Sequence, residues 1–556
     1  MTFFRKLLGY LSNVIPFEDI NVKEALLASS DINPDGTRDI TYDEAKSSSI
    51  TGAMLKAAVN PNDDNTDIVS FEELQYFTGL DEIPTDCFKG CTNLEKIKFP
   101  NEAVLYNINN NILSGCAVDT LHLEDVTELK SAQSNISYNS KFGSLPSLKK
   151  VYINSMISIE GLGFTKAQQP DIEKIIVSSI EQWCSIYSNV GRNVRPSVSE
   201  KASLYLASDL EHPVTAITTL DHAIQGITTV PTIFEYSFQG LLGLTSITIG
   251  AQNTEAKKGA FRGLPASVTI YDIENITKVG EETFYNCKAQ GLTNIPSSVT
   301  AVYENTFRNS SLLKVESTSL TTISGNNSFS ETPITSVILN NITDISGTST
   351  FFGCTALTHI ELNDLTSIPQ SFCRISTSIT TASFTSAQTI NGQAFLGCTS
   401  LTTIEVPNVT ILKAGAFGGC TNLTEYNSST HTGLNINLTA CTEIGGGALS
   451  GVTNITCPTD FPNLTKIGNG AFGGCIKPSA NYVILSYNGV VEFSPGTGPD
   501  AAANYSLTTF GGYAANPITK IYVPDAYYND YQSDTNWSNF LVYNPNAIGK
   551  ISDIPT

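Results

Sequence analysis

A unit of about 22 residues, written most cleanly as AFLGCTSLTTIEVPNVTILKAG from Ala394 to Gly415, recurs down most of the chain. Its anchor aromatics are Phe238, Phe261, Phe284, Phe307, Phe329, Phe351, Phe372, Phe395 and Phe417, each 21 to 23 residues after the last. A fixed period of this size predicts stacked coils, each burying its apolar face only against its neighbours. A stack of coils offers a long surface rather than a pocket, so binding is the expected chemistry.

Each unit reads in two parts. L-T-x-I-x-V-P alternates apolar and polar residues at period two, as a short strand with one buried face does. A-F-x-G-C then supplies a turn or short helix whose Phe plugs the interior, with Gly relieving the backbone at the bend. Parallel strands need a crossover between them, and the repeat length provides one. Cys91, Cys116, Cys287, Cys354, Cys398, Cys420 and Cys475 fall at one repeat position or close to it. They predict a ladder of small, reduced, buried thiols rather than disulfides. No CxxC occurs, and Cys87 and Cys91 lack the His partners of a metal site.

A net charge of −21 over 556 residues argues against nucleic acid as a partner, because phosphate binding needs clustered Lys and Arg. Only 15% of residues are charged, so the surface must be mainly Ser, Thr, Asn and Gly. No apolar run approaches the roughly 20 residues of a membrane span. The first residues, MTFFRKLLGYLSNVIPF, look superficially like a signal peptide. Gly9, Ser12 and Asn13 interrupt the apolar run and no small-x-small cleavage site follows, so export by the usual secretory route is not expected.

Residues 1–79 read as a separate helical module. Phe4, Leu7, Leu8, Leu11 and Ile15 recur at helical spacing, a stripe that either packs on the following helices or docks into a partner subunit. Val22 to Ala28 starts a second helix. DINPDGTRDITYDEA, Asp31 to Ala45, follows the pattern of an EF-hand calcium loop with a two-residue insertion at Thr37 and Arg38. The candidate ligands are Asp31, Asn33, Asp35, the Asp39 carbonyl and Glu44; the other reading is a metal-free helix–loop–helix. A poorer copy follows from Asn62 to Leu74. Beyond the module, residues 80–222 read as irregular repeats, with an atypical stretch around Trp183. Residues 223–493 read as regular repeats with an enlarged unit near 427–448, and 494–556 as an insertion plus a terminal unit. The last strand is read as ITKIYVP, followed by an aromatic tail.

The repeated A-F-x-G-C-x-x-L-x-x-I-x-[IV]-P resembles the BspA-like leucine-rich repeats, over roughly residues 80 to 550. SFEELQYFTGL (Ser70 to Leu80) resembles that family's entry into its first repeat, and IEQWCSIYSN…ASLYL (Ile180 to Leu206) a variant repeat. IYVPDAYYNDYQSDTNWSNF (Ile521 to Phe540) is similar to its terminal unit. The resemblance implies an α/β solenoid of short parallel strands with turns or short helices, preceded by a small helical module. The family's members are mostly surface-displayed binding or adhesion proteins of gut and oral bacteria and of their phages, and many carry a calcium-loop-like hairpin before the repeats.

Catalysis finds no motif. The five histidines form no HExxH or HxH pair, and no GxSxG elbow, phosphate-binding loop or dinucleotide fingerprint occurs. The outward strand positions are the better candidates. They read Lys96/Lys98, Lys150/Tyr152, Lys174/Ile176 and Ser246/Thr248, then Ser336/Ile338, His359/Glu361, Thr381/Ser383, Thr403/Glu405, Glu425/Asn427 and finally Lys520/Tyr522. Lysines concentrate early, giving Lys96, Lys98, Lys150, Tyr152 and Lys174 as candidate ligand-binding residues. Such a face is either a plain solvated sheet or a strip whose basic end steers an acidic glycan or protein. The expected function is non-catalytic: a bacteriophage virion component contacting host surface or neighbouring virion subunits. The alternative is a secreted or cell-surface bacterial adhesin for host or matrix ligands; a hydrolase on a repeat scaffold ranks last.

Overall fold

The computed structural model describes residues 13–555 except 81, 101–110, 125, 127, 130–140, 157, 160–162, 189–194, 218–231, 340, 498–502 and 514–515. Contacts divide the chain into two units, Met1–Ile276 with Lys288–Gly291, and Thr277–Cys287 with Leu292–Thr556. Each is a solenoid of short parallel strands.

The first unit begins with helices α1 (Ile20–Ala28), α2 (Tyr42–Ala45) and α3 (Gly52–Val59), N-capped by Asp19, Thr41 and Thr51 respectively. Val22, Leu26, Leu55 and Val59 are buried between them, with Ile15. The rest of the predicted N-terminal stripe, Phe4 to Leu11, lies outside the described residues. Strand β1 (Ser70–Phe71) pairs in parallel with β2 (Lys96–Ile97). Its outer edge does not stay open: the Asp19 carboxylate accepts the N–H groups of Val69 and Ser70 at 2.7 and 3.1 Å. A charged cap of this kind blocks edge-to-edge pairing with another chain. The helical module thus closes the solenoid.

Strands β3 (Thr120–His122), β4 (Lys150–Tyr152), β5 (Lys174–Val177) and β6 (Ser203–Leu206) form one parallel sheet. A second sheet runs through Glu128–Leu129, Ser158–Ile159 and Tyr187–Ser188. At the atypical stretch a helix, α4 (Ile180–Ser185), replaces the usual turn. Its Trp183 is fully buried, donates to the Ser237 carbonyl at 2.6 Å, and carries Arg195 against its ring at 4.9 Å. Arg195 donates to the carbonyls of Trp183 and Ile186 at 2.6 Å, and burial lowers its pKa to about 10.

In the second unit, β7 (Lys314–Ser317), β8 (Ser336–Leu339), β9 (His359–Glu361), β10 (Thr381–Ser383), β11 (Thr403–Glu405) and β12 (Leu434–Asn435) form a six-stranded parallel sheet. A second six-stranded sheet takes one short strand from each coil, including Ser367–Ile368, Thr389–Ile390 and Ile411–Leu412. These second strands are a finding beyond the two-part unit read from sequence. At two or three residues each they are too short for period two to register.

The plugs behave as expected with one exception. Phe284, Phe307, Phe329 and Phe351 are fully buried and stack at 5.2–5.5 Å with interplanar angles of 3–8°. The step to Phe372 is T-shaped, at 88°. Backbone bonding explains it: Phe351 N–H meets the Phe372 carbonyl, whereas Cys373 N–H meets that of Ala394, the residue before the next plug. Cys373 therefore stands at the plug position and Phe372 one residue early. Phe384 fills the gap, with its ring 5.9 Å from Phe372 and 5.8 Å from Phe395.

The residues two before and two after each plug adopt left-handed backbone. Gly353, Gly397 and Gly419 after the plug have φ of 66–76°, the conformation that costs glycine least. Before the plug the same region is held by Glu282, Ser349 and Gln393 at 55–60°, and Ile375 occupies it after Cys373 at 55°. All twelve cysteines are buried and none forms a disulfide. The thiols of Cys354 and Cys420 donate to the carbonyls of Phe329 and Phe395 one coil back, at 3.2 and 3.1 Å. Ser376 does the same to Phe351 at 2.9 Å, so the position selects a small donor rather than sulfur as such.

The C-terminus is capped by α5 (Tyr528–Ser533) and α6 (Thr535–Tyr543), whose Tyr531 and Trp537 are buried. Trp537 donates to the Val491 carbonyl at 2.6 Å, while Val491 N–H donates to the Tyr531 hydroxyl at 2.9 Å. ITKIYVP is not the last strand: Ile548–Lys550 pairs in parallel with Ile521–Val523, although IGK carries no alternating pattern to announce it.

Truncating Phe329, which stacks on a ring at each side, should destabilise the second unit by about 3–5 kcal/mol, read from denaturant midpoints and hydrogen exchange. Ile375→Gly should raise stability instead, by up to about 1 kcal/mol, because it relieves a left-handed β-branched residue against glycine's entropy cost. Burial pushes the thiols of Cys91 and Cys354 up to about 11 and those of Cys420 and Cys475 to about 12. Ellman's reagent at mildly alkaline pH should find no fast-reacting thiol in the native protein and twelve after denaturation.

Candidate functional site

Each strand of the β3–β6 sheet buries one residue between two that face outward, as the pleat requires. Leu121, Val151, Ile175 and Leu204 are the buried set. In register, Thr120, Lys150, Lys174 and Ser203 make one outward row, and His122, Tyr152, Ile176 and Tyr205 the other. Lys98 extends the second row through its bridge to His122, and Lys96 stands two residues earlier, on β2. The five residues singled out from sequence, Lys96, Lys98, Lys150, Tyr152 and Lys174, therefore share one face.

The face also holds residues that sequence reading missed. Thr120 and His122 lie in a copy too irregular to align, although T-L-H-L alternates cleanly, and Tyr205 lies in the variant repeat. One expectation fails here: Ile176 is 2% exposed. Its register neighbours are Tyr152 and Tyr205, whose larger side chains flank it on both strands.

The charges are arranged unequally. Lysines elsewhere in the first unit are paired: Lys149 with Glu173, Lys166 with Glu200, Lys201 with Asp171 and Lys257 with Glu255. Among the described residues, the ammonium groups of Lys96, Lys98, Lys150 and Lys174 join no ion pair. Lys174 Nζ lies 4.5 Å from the centre of the Tyr205 ring, a cation–π contact. Lys96 borders a shallow cleft of about 330 Å³ that it shares with Glu18, Asp19 and Glu95, so its charge is partly balanced. The His122 and Tyr152 rings stack on each other at 4.9 Å and 12°. His122 Nδ1 lies 2.7 Å from the Glu124 carboxylate. Burial works to raise the Glu124 carboxyl, but the bond to His122, its own backbone and the Lys98 charge outweigh this and hold it below the usual range.

The corresponding face of the second unit differs. Its rows run Lys314, Ser336, His359, Thr381, Thr403 and Glu316, Ile338, Glu361, Ser383, Glu405. The one lysine is neutralised by Glu316 at 2.6 Å. Two more expected outward pairs depart from the pattern. Glu425 and Asn427 are exposed, but Leu434–Asn435 inserts next to Thr403–Glu405: Glu425 keeps a parallel bridge to Leu434, and Asn427 turns back through an antiparallel bridge to Thr432. Tyr522 is 7% exposed, between the Tyr482 ring at 5.1 Å and the strand Ile548–Lys550.

The acidic loop in the helical module is held by its own side chains. Glu44 closes a capping box, accepting from the backbone and hydroxyl of Thr41 at 2.6 and 2.7 Å. Asp39 pairs with Lys23 at 2.6 Å, and its carbonyl accepts from the Thr37 hydroxyl. Buried Asn33 turns its amide to the carbonyls of Leu27 and Thr37, and Asp35 accepts Thr37 N–H. Asn33, Asp35 and the Asp39 carbonyl thus gather on Thr37, while Glu44 is turned to Thr41; among the described residues no group of three or more His, Cys, Asp or Glu is placed to hold a metal ion. A cation here would first have to break the Thr41–Glu44 box.

The described histidines are likewise dispersed. His122 meets Glu124, His212 meets Asp209, His359 meets the Thr381 hydroxyl and His431 meets Tyr426. His222 lies outside the described residues. No helix among the described residues is long and apolar enough to cross a membrane.

The profile of the BspA type leucine-rich repeat region matches residues 66–188, 223–333, 277–391, 321–433 and 388–479, together more than half of the chain. The protein belongs to the BspA-type leucine-rich repeat family. Among solved structures it is similar to a leucine-rich cell surface protein from Faecalibacterium prausnitzii, at 18% identity over 54% of this chain and 76% of that one, with a TM-score of 0.26. A leucine-rich repeat protein from Bacteroides ovatus matches at 15% identity over 85% and 88%, with a TM-score of 0.31. One from Eubacterium ventriosum matches at 16% identity over 60% and 82%, with a TM-score of 0.36. No curated protein matches the sequence.

Calorimetric titration of calcium to millimolar concentration should give no saturable heat, because Glu44 is held by its cap. Saturable binding lost in Glu44→Gln would show that the loop rearranges around the ion.

Proposed function

We propose that the protein is a non-catalytic, adhesin-like surface protein that holds its partner on the β3–β6 face. The observation that carries this is that Lys98, Lys150 and Lys174 join no ion pair among the described residues, on a chain of net charge −21 where nearby Lys149 and Lys201 are paired. Cations left unpaired at a regular surface cost little to keep and attract an oppositely charged partner over roughly a Debye length. The partner is a protein or glycan on a cell surface or in its surrounding matrix. Surface display also suits the cysteines: buried thiols with raised pKa values survive an oxidising exterior without pairing.

The virion role expected from the N-terminal segment rests largely on Phe4 to Leu11, outside the described residues. Family membership lends that role nothing that it does not lend equally to a bacterial surface protein. The unpaired lysines favour the second, since attachment through the helical module leaves them without a task.

Brief protease treatment of intact producing cells should remove the protein, and fractionation should find it in the envelope or medium. Recovery only from cytosol, or from purified phage particles, would overturn the assignment. On the surface reading, Lys150→Gln/Lys174→Gln should weaken attachment of purified protein to target cells about tenfold, about 1.4 kcal/mol.

A further inference from the structure

Building on that assignment, we infer that the β3–β6 face binds a linear anionic polysaccharide, one bearing carboxylate or sulfate groups along its length. Lys150 and Lys174 are direct register partners on adjacent strands. Like charges placed so are unfavourable, with strands only about 4.8 Å apart. Elsewhere the molecule avoids this arrangement. In the second unit the row Glu443, Lys466, Glu492 alternates in sign, with Lys413 bonded to Glu443 and Lys466 to Glu492 at 2.6 and 2.7 Å. Nothing in the described residues neutralises the Lys150–Lys174 pair. An anion lying across both strands would, and Lys98 carries the same charge along the second row.

The remainder of the face selects among polyanions. A protein partner needs a desolvated apolar core with anchoring side chains. The outward rows offer none, because Ile176 is buried and Tyr152 and Tyr205 are only partly exposed. A peptide strand needs an open sheet edge. Here β4 and β5 are paired on both sides. Thr120, Ser203 and Tyr152 provide hydroxyls beside the ammonium groups, which suits a ligand rich in its own hydroxyls. Neutral sugars commonly rest on open ring faces. In these rows His122 and Tyr152 cover each other and Lys174 covers Tyr205, so charge must supply the affinity.

The test uses the full chain and four probes: heparin for sulfate, polygalacturonate for carboxylate, dextran as neutral polysaccharide and polyglutamate as acidic polypeptide. Binding to heparin, polygalacturonate or both is expected, weakening at least about tenfold between about 50 and about 300 mM NaCl as screening shortens the reach of the lysines. Which of the two binds tells sulfate from carboxylate. Lys150→Gln/Lys174→Gln should lower affinity about tenfold or more, with a melting temperature that is unchanged or raised by the lost repulsion. Lys413→Gln/Lys466→Gln, which alters lysines already paired, should leave affinity unchanged. Failure of both charged polysaccharides to bind, tighter binding of polyglutamate, or unchanged affinity in the first variant would each overturn the inference. If cell attachment needs Lys150 and Lys174 while neither polysaccharide binds, the face stands and the ligand class falls. If attachment survives their replacement, the face itself is wrong.

Discussion

Plug stacking sets the register of everything else. In the second unit a benzyl ring sits on the ring one coil back at little more than 5 Å, while the backbone N–H of each plug reaches the next coil's carbonyl. Once ring and backbone share a repeat distance, the strands must pair in parallel at fixed offset. Aromatic pairs of this kind add about 0.5–1.5 kcal/mol each beyond their area. Because coils touch only their neighbours, such increments add along the stack rather than meeting in a single core. The coil at Cys373 shows the tolerance of the scheme. The ring moves one residue back, Phe384 fills the space, and the left-handed turn residues keep their places at Ser371 and Ile375.

The same regularity explains the thiols. A carbonyl at each plug points toward the following coil, where only a small side chain fits and where an unbonded acceptor would be costly. Cysteine and serine both meet that requirement, as Cys354 and Ser376 do, whereas Thr332 at the same position donates to the Phe329 carbonyl of its own coil. Burial keeps the proton on sulfur, outweighing the hydrogen bonds from Thr332 and the backbone that favour the thiolate of Cys354. The ladder is therefore a packing device with donors, not a redox or metal centre.

Much of this was legible because the repeat states it many times over. The Phe period, the inward strand positions and the glycines at Gly397 and Gly419 follow from residue type alone. The left-handed residue before each plug was not legible, since Glu282, Ser349 and Gln393 give no hint of positive φ; neighbouring coils impose it. Outward positions were read correctly where the neighbouring side chains leave them open, as for Lys150 and Tyr152. They were misread where a neighbour covers the residue, as at Ile176 and Tyr522, because burial there depends on the adjacent strand rather than on alternation. The acidic loop shows a further limit: Glu44 has the right type for a ligand, yet the T-x-x-E of a capping box uses the same residue.

In a solenoid the inward residues are fixed by stacking, so the outward rows are where one coil can differ from the next at little cost to the fold. That freedom makes their charge pattern informative. On the second unit it is used for neutrality: Lys314 meets Glu316, and Lys466 stands between Glu443 and Glu492. On the first unit, Lys150 and Lys174 stand side by side although replacing one of them by glutamate would remove the repulsion without touching the core. Stability alone gives no reason to keep that pair. On the proposed reading a ligand that supplies the missing negative charge does, one long enough to span adjacent strands and polar enough to lie on a face with no apolar anchor.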